Sequence, residues 1–403
     1  MEKNLYYHLL GLQEPWKVSE IKLDVMNQKV DVWVEYNASS SPCSECQTLC
    51  PIYDHVNERS WRHLDSCGFK TYIHAKIPRS KCGKHGILQI KIPWAQGHSR
   101  FTLMFQVLAI SLLKECTVSG AAKILRITWD QAWHIMKQAV DRGLLRKEKE
   151  KSSFLGVDEK SVMKGHSYFT IIYNLEKSTV EYIAEDRKTD SLKAYFDAIS
   201  EEQKAFIKAV SMDMWDPYIK ATTEALGKDK IVIDRFHVMK HINKAVDEVR
   251  KQEVKELYAQ NDHTLKGSKY LWLYGEENIP QNRKADFEIL KTKMLKVSKA
   301  WAIKEMLREL WNSVNLKSAL HYILKWFDWA KNCGLKPIKR AANTIADHID
   351  QILMYFKHKI TNATSEGMNS KIQKVKAMAC GYRNKENFKT AIYFHCGGLE
   401  LYP

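Results

Sequence analysis

The chain lacks an apolar run long enough to span a membrane. Its most apolar stretch, FTLMFQVLAISLL (101–113), is bounded by Arg100 and Lys114 and reads as a core helix. The amino terminus, MEKNLYYHLLGLQE, lacks the succession of basic region, apolar stretch and small-residue cleavage site that export requires. A cytoplasmic, soluble protein with no membrane partner is expected. Acid is scarce relative to base: 47 Asp and Glu stand against 63 Lys and Arg, leaving +16. That imbalance favours a polyanionic partner, nucleic acid first, over a protein that is merely basic. Cysteine is sparse too, and without export the nine cysteines are expected to be thiols or metal ligands rather than disulfides.

What is present is a chain of 403 residues, 45% apolar, which can bury a large core and divide into two to four domains. Residues 1–98 read as a β-rich module in which alternating segments such as KVDVWVEY (29–36) and KTYIHAKI (70–77) flank a cysteine-bearing turn. Cys43 and Cys46 stand two residues apart, as do Cys82 and His85. Two such turns can each present a ligand pair to one tetrahedral Zn²⁺, in the manner of a zinc ribbon. The alternative is ordinary thiols, and Cys50, Cys67, His55 and His63 compete for the fourth position. With no open coordination position, such a zinc would be structural.

Residues 99–145 are helical. CTVSGAAKILRITWDQAWHIMKQAV has the shape of a helix-turn-helix, with a turn near Arg126 to Thr128 and a second helix from Trp129 able to enter a major groove. Any helical hairpin shares that shape. RKEKEKSS (146–153) reads as a solvated linker.

From residue 154 the pattern turns to strands: FLGVD, then a polar turn through Gly165, YFTIIYN (168–174) and TVEYIAE (179–185). A helix through SLKAYFDAI, the strand FIKAVSMD (206–213), the helix DPYIKATTEAL and the strand KIVIDRF (230–236) follow. Three antiparallel strands followed by alternating helix and strand predict a ribonuclease-H-like α/β core in two parts, 146–237 and 358–403. Residues 238–357 form an all-helical insertion whose Trp301, Trp311, Trp326 and Trp329 are expected in its core. The fold class is multidomain α+β.

The apolar runs FLGVD and FIKAVSMD both finish on an acid, Asp158 and Asp213. Ligands of open α/β sheets gather beyond strand ends, and hard divalent cations prefer oxygen donors. A third acid, Glu366, lies in TNATSEGMNSKIQKVKAMACGYRN, in the first turn of a helix that Thr364 or Ser365 can cap. Met368, Ile372 and Val375 share one face of that helix, and Glu366, Asn369 and Gln373 share another. Lys371, Lys374, Lys376 and Arg383 suit phosphate contacts. Asp216 rivals Asp213, and Glu159 rivals Asp158. Asp216 also has a plain capping or dipole role at a helix start, and alternation puts Val157 and Asp158 on opposite faces.

GVDEK, SMDMWDPYIK, VIDRFHVMKHIN, YFKHKITNATSEGMNSKIQ and GYRNKENF, in this order, resemble the DDE transposases of bacterial insertion sequences, the ISL-three group with an amino-terminal zinc ribbon. The resemblance implies that Asp158, Asp213 and Glu366 are a catalytic triad holding two Mg²⁺ (or Mn²⁺), and that Asp234 and His237 are an accessory pair. It also implies binding to terminal repeats and target DNA, a homo-oligomer on DNA, and a place in the bacterial nucleoid. His85 stands where that group usually has cysteine. The rival from another class is a derived DNA-binding regulator that no longer cuts, and a nuclease without strand transfer is the nearer one.

Overall fold

The computed structural model describes residues 2–97, 99–147, 151–163 and 167–403, so the polar turn at Gly165 and the middle of the 146–153 linker lie outside the described residues. The chain divides into two compact units, 1–147 with 399–403, and 148–398.

In the first unit, α1 (Glu2–Leu9) precedes eight strands: β1 (Trp16–Asp24), β2 (Lys29–Tyr36), β3 (Ser40–Pro42), β4 (Leu49–His55), β5 (Arg59–Arg62), β6 (Lys70–Ala75), β7 (Pro78–Cys82) and β8 (Gly86–Gln89). They form two sheets, ordered β1-β2-β6-β5 and β3-β4-β7-β8. The first is built on alternation. Val30, Val32 and Val34 of β2 turn inward against Trp16, Trp61, Ile73 and Trp94. The second is thin, and the apolar cluster within it is Cys43, Cys50 and Cys82. So small a core needs a staple.

Three helices follow, α2 (Leu103–Glu115), α3 (Val118–Leu125) and α4 (Trp129–Arg146), each opened by a threonine cap at Thr102, Thr117 or Thr128. The α3–α4 turn is set by Arg126 in the left-handed region (φ 56°) and by a reciprocal capping box between Thr128 and Gln131. Asp65 bridges the buried Arg62 of β5 to Arg126, tying the strands to this turn.

The second unit centres on a five-stranded sheet of β9 (Phe154–Met163), β10 (Ser167–Asn174), β11 (Thr179–Glu185), β12 (Ala209–Met212) and β13 (Ile231–Ile233), ordered β11-β10-β9-β12-β13. β9, β12 and β13 run parallel, and β10 runs antiparallel to β9 and β11. On one face Leu155, Val157, Val210 and Met212 pack against α5 (Thr189–Ala198), α7 (Asp216–Leu226) and α8 (Arg235–Ala259), with α6 (Glu201–Phe206) leading into β12. Between α8 and the last two helices lie α9 (Lys269–Leu273), α10 (Lys284–Thr292), α11 (Lys296–Glu309), α12 (Leu316–Asn332), α13 (Lys336–Asp347), α14 (Ile349–Leu353) and α15 (Tyr355–His358). On the other face Phe169, Ile171 and Tyr173 meet Met368 and Ile372 of α16 (Ala363–Met378) and Phe388 and Ile392 of α17 (Lys385–Cys396).

Several expectations need correction. β9 does not finish on Asp158 but runs five residues further, because β10 continues to pair with it, Ile171 opposite Asp158 and Tyr168 opposite Ser161. Phe206 ends a helix rather than opening a strand, and Arg235 and Phe236 open α8 rather than closing β13. The 237/238 division therefore falls inside one continuous helix, and 357/358 falls inside α15. Trp301, Trp311 and Trp326 are buried, but Trp329 is 36% exposed because it lies off the inward stripe of α12. α16 begins without a side-chain cap among the described residues. Asn362 holds the N-cap position, and Ser365 is fully buried inside the helix instead.

Candidate functional site

The parallel register decides which acids meet. Ser211 of β12 pairs with Gly156 of β9, and Met212 pairs with Ile233 of β13. Continued upward, that register sets Asp158, Asp213 and Asp234 side by side where β12 and β13 end. As alternation requires, Val157 joins the α5–α7–α8 core while Asp158 faces α16.

Asp158 accepts from the Glu159 backbone N–H at 2.7 Å through Oδ1, and from the Asn369 side-chain amide at 2.5 Å through Oδ2. Asn369 is itself fixed by the Tyr173 hydroxyl, which donates to its Oδ1 at 2.8 Å. Burial, then the nearby Asp213 charge, pushes the Asp158 carboxyl up to about 6. Asp213 is also raised to about 6, by burial first and then by Glu159. Its Oδ1 is buried with no hydrogen-bond partner among the described residues, and its Oδ2 lies 3.4 Å from Nδ1 of His237. Burial lowers the pKa of His237, against the opposing pull of Asp234, Asp158 and Glu366.

Asp234 is 5% exposed, and each of its oxygens accepts one backbone N–H. Oδ2 accepts from Phe236 N at 3.2 Å, capping α8, and Oδ1 accepts from Asn362 N at 3.1 Å, fixing the residue before α16. Glu366 is exposed in the first turn of that helix. α16 approaches β9 closely because Gly156 has no side chain, and a Cβ there would collide with Ser365 Oγ and meet Asn362 Oδ1 at 3.1 Å. Gly156 was missed in the sequence although it interrupts an apolar strand, the signal for close backbone approach. Asn369 was legible as polar-face but not as the partner of Asp158.

The rivals separate. Glu159 turns to Arg187, 3.2 Å away. Asp216 opens α7 without capping it among the described residues, since Trp215 holds the N-cap position. Of the basic residues, Lys371, Lys374 and Arg383 are exposed. Lys376 is half-buried and donates to Val162 O at 2.7 Å, anchoring α16 to the far end of β9.

In the first unit the two short turns converge. Cys43 and Cys46 leave the β3–β4 turn, Cys82 ends β7, and His85 sits in the β7–β8 turn. Cys46 Sγ and Cys82 Sγ lie 3.7 Å apart, and His85 Nδ1 is 3.7 Å from both Cys43 Sγ and Cys82 Sγ. A tetrahedron with Zn–S bonds of about 2.3 Å has edges of about 3.8 Å, so the set fits zinc. Among the described residues this is the one group of three or more candidate ligands whose atoms all lie within 4.8 Å of one another, and the carboxylates of the second unit are not drawn together so tightly. Cys50 lies beside the set, its thiol pushed up by burial. Cys67 is exposed, and His63 is committed to Thr102 at 3.0 Å.

In α4, Ala132, Ile135, Met136 and Ala139 face inward, leaving Trp129, Asp130, His134 and Lys137 outward. Trp129 stacks on Trp133 with centroids 5.5 Å apart. No helix among the described residues is long and apolar enough to cross a membrane.

Comparison with known proteins agrees with both halves. A family described as "zinc-finger of transposase IS204/IS1001/IS1096/IS1165" matches residues 39–85, and "Helix-turn-helix domain of transposase family ISL3" matches 90–140. The chain is 24% identical over 376 residues to the transposase for insertion sequence element IS1557 of Mycobacterium tuberculosis, covering 85% of this chain and 83% of that one. It is 22% identical over 363 residues to the transposase for IS1001 of Bordetella parapertussis, covering 89% of each. The ISL3 transposase family itself, described as "Transposase", matches residues 155–392, from the strand that bears Asp158 through the helix that bears Glu366. The chain belongs to the ISL3 family of DNA transposases.

Proposed function

We propose that this transposase binds the terminal inverted repeats of its own element, cleaves phosphodiester bonds there, and joins the freed ends to target DNA. Asp158, Asp213 and Glu366 act as the catalytic carboxylates on a ribonuclease-H-like core, a reading supported by the strand order and the parallel β9-β12-β13 edge. The observation that carries it is the level pairing of Asp158 and Asp213, two carboxyls raised to about 6, one with a buried oxygen that has no partner among the described residues. Such an all-oxygen set suits hard divalent cations.

When bound, two Mg²⁺ (or Mn²⁺) supply the activation of water or a 3′-hydroxyl and the stabilisation of the departing oxygen in an in-line displacement. The chain's own residues prepare the site. Asn369 and the Glu159 N–H hold both Asp158 oxygens in one orientation, Asp234 seats the start of α16, and His237 stands against Asp213 as the accessory group. Cys43, Cys46, Cys82 and His85 hold one structural zinc. α4 reads the end sequence, and Lys371, Lys374 and Arg383 contact phosphates in an oligomer assembled on nucleoid DNA. The domains follow as ribbon (1–98), helix-turn-helix (99–145), core (146–237 and 358–403) and insertion (238–357), the last boundaries shifted to helix ends.

A DNA-binding regulator is not favoured, because the family match spans all three carboxylates. The test is incubation of purified protein with labelled element ends, a target plasmid and Mg²⁺. Joined products support strand transfer, cleavage alone reduces the protein to a nuclease, and neither product with intact binding leaves the regulator.

A further inference from the structure

A cavity beside the acids has no part in the cleavage reading. Tyr168 of β10, Asp186 and Arg187 of the β11–α5 turn, Thr189, Trp215 and Pro217 line a space of about 430 Å³, within the range of small-ligand sites. Its walls are planar. The Arg187 guanidinium lies 4.4 Å from the Tyr168 ring centroid and 5.0 Å from that of Trp215, whose Nε1 donates to Arg187 O at 3.1 Å. Trp215 remains 37% exposed instead of closing into the core.

The cavity is tied to both acid-bearing strands. Arg187 Nη1 pairs with Glu159, the residue after Asp158, and Trp215 N donates to Asp213 O at 2.8 Å. Any ligand there sits within a residue or two, along the chain, of the proposed reaction centre.

We propose that this pocket takes one unpaired nucleobase of the DNA held at the acids, an inference that rests on the reading of those acids as the cleavage site. Every base offers a flat π-face, which aromatic rings and guanidinium planes accept without regard to sequence. Lys188, which also lines the space and lies 3.3 Å from the Asp186 carboxylate, and Thr189 add polar groups for a base edge. A base inside a duplex cannot present its face, so the occupant is unstacked, and stacking on Trp215 replaces the neighbour it has lost.

The test needs no turnover. A duplex with a single-stranded overhang carries 5-iodouracil either in the overhang or in the paired stretch, and is irradiated with the full chain before peptide mapping. The overhang label should crosslink to Trp215 or Tyr168, and the paired label should not. Trp215→Ala should lower crosslinking by roughly tenfold or more while duplex binding stays within about twofold, and Trp215→Phe should retain most of it. Crosslinks that map elsewhere, or that both labels give equally, overturn the proposal. Wild-type mapping decides even if a variant misfolds. Asp158→Ala keeps the two readings apart. Joining that depends on Asp158 without a Trp215 crosslink sinks the pocket alone, and a Trp215 crosslink with joining indifferent to Asp158→Ala sinks the acid reading.

Discussion

Asn369 of α16 donates its side-chain amide to Asp158 of β9 at 2.5 Å, across 211 residues of sequence. The same amide oxygen accepts the hydroxyl of the fully buried Tyr173. Asn369→Ala should therefore destabilise the second unit by about 1–3 kcal/mol, since it strands a buried hydroxyl, and should lower cleavage by freeing Asp158 to rotate. Urea melts and end-cleavage rates measure the two effects. A variant with unchanged cleavage would show that the clamp is only structural.

The acids should behave as a unit. Asp158→Ala, Asp213→Ala or Glu366→Ala should each abolish cleavage and joining while sparing end binding in gel-shift assays. Asp216→Ala should remain active, with a stability loss of about 0.3–1 kcal/mol from the dipole of α7 alone. Full activity in Glu366→Ala would remove the third carboxylate from the mechanism.

The raised carboxyls set a pH dependence. An acid whose folded pKa lies above its unfolded value contributes stability at low pH that disappears as pH rises through the folded pKa. For Asp158 and Asp213 that loss begins near the ordinary carboxylate range of about 4 and is complete once pH passes about 6. In chelator, Asp213→Asn should be more stable than wild type at neutral pH by about 1–2 kcal/mol, with the advantage vanishing towards pH ~4. Mg²⁺ should then stabilise wild type more than the variant, and more at pH ~7.5 than at pH ~5. Thermal melts that show equal Mg²⁺ shifts in both proteins would place the ion elsewhere.

Close approach at Gly156 predicts a steric cost. Gly156→Ala should destabilise by about 1–3 kcal/mol, because Ser365 and Leu175 leave no room, and should depress cleavage by pushing α16 away from β9. A neutral stability in denaturant melts would mean that the helix can shift freely.

Zinc should be present at about one ion per chain. Cys43→Ser with Cys46→Ser should release it and loosen the strands of residues 16–89, while residues 154–398 keep their melting transition. Elemental analysis that finds no zinc in unchelated protein would leave the β3-β4-β7-β8 sheet without its staple.

Local pattern carried much of this fold into view. β2 matches the alternating run 29–36, β11 matches the strand read at 179–185, and α4 starts at Trp129, directly after the Thr128 cap. Zinc-ligand spacing was legible for the same reason, since two residues between ligands is a property of one turn. The misjudged features were non-local. β9 extends past Asp158 because β10 pairs with it, and the start of α16, without a side-chain cap among the described residues, is held by Asp234, 128 residues away, through Asn362 N. Nothing nearby in sequence reveals that Val162 O accepts from Lys376. The pairing of Asn369 with Asp158 likewise depends on tertiary packing that periodicity cannot report.

The bond from Asn362 N to Asp234 can form only late in synthesis, once 128 further residues have been added. Asp158, Asp213 and Asp234 leave the ribosome well before α16, separated from it by the whole run of helices α8 to α15. A chain that stops anywhere in that run keeps its zinc ligands but lacks Asn369, Glu366 and residues 399–403, whose Leu401 and Tyr402 carbonyls accept from Arg142 and Arg146 of α4. A premature stop there therefore removes the clamp on Asp158 and the carboxyl-terminal segment of the first unit together, and one lesion reaches both compact units.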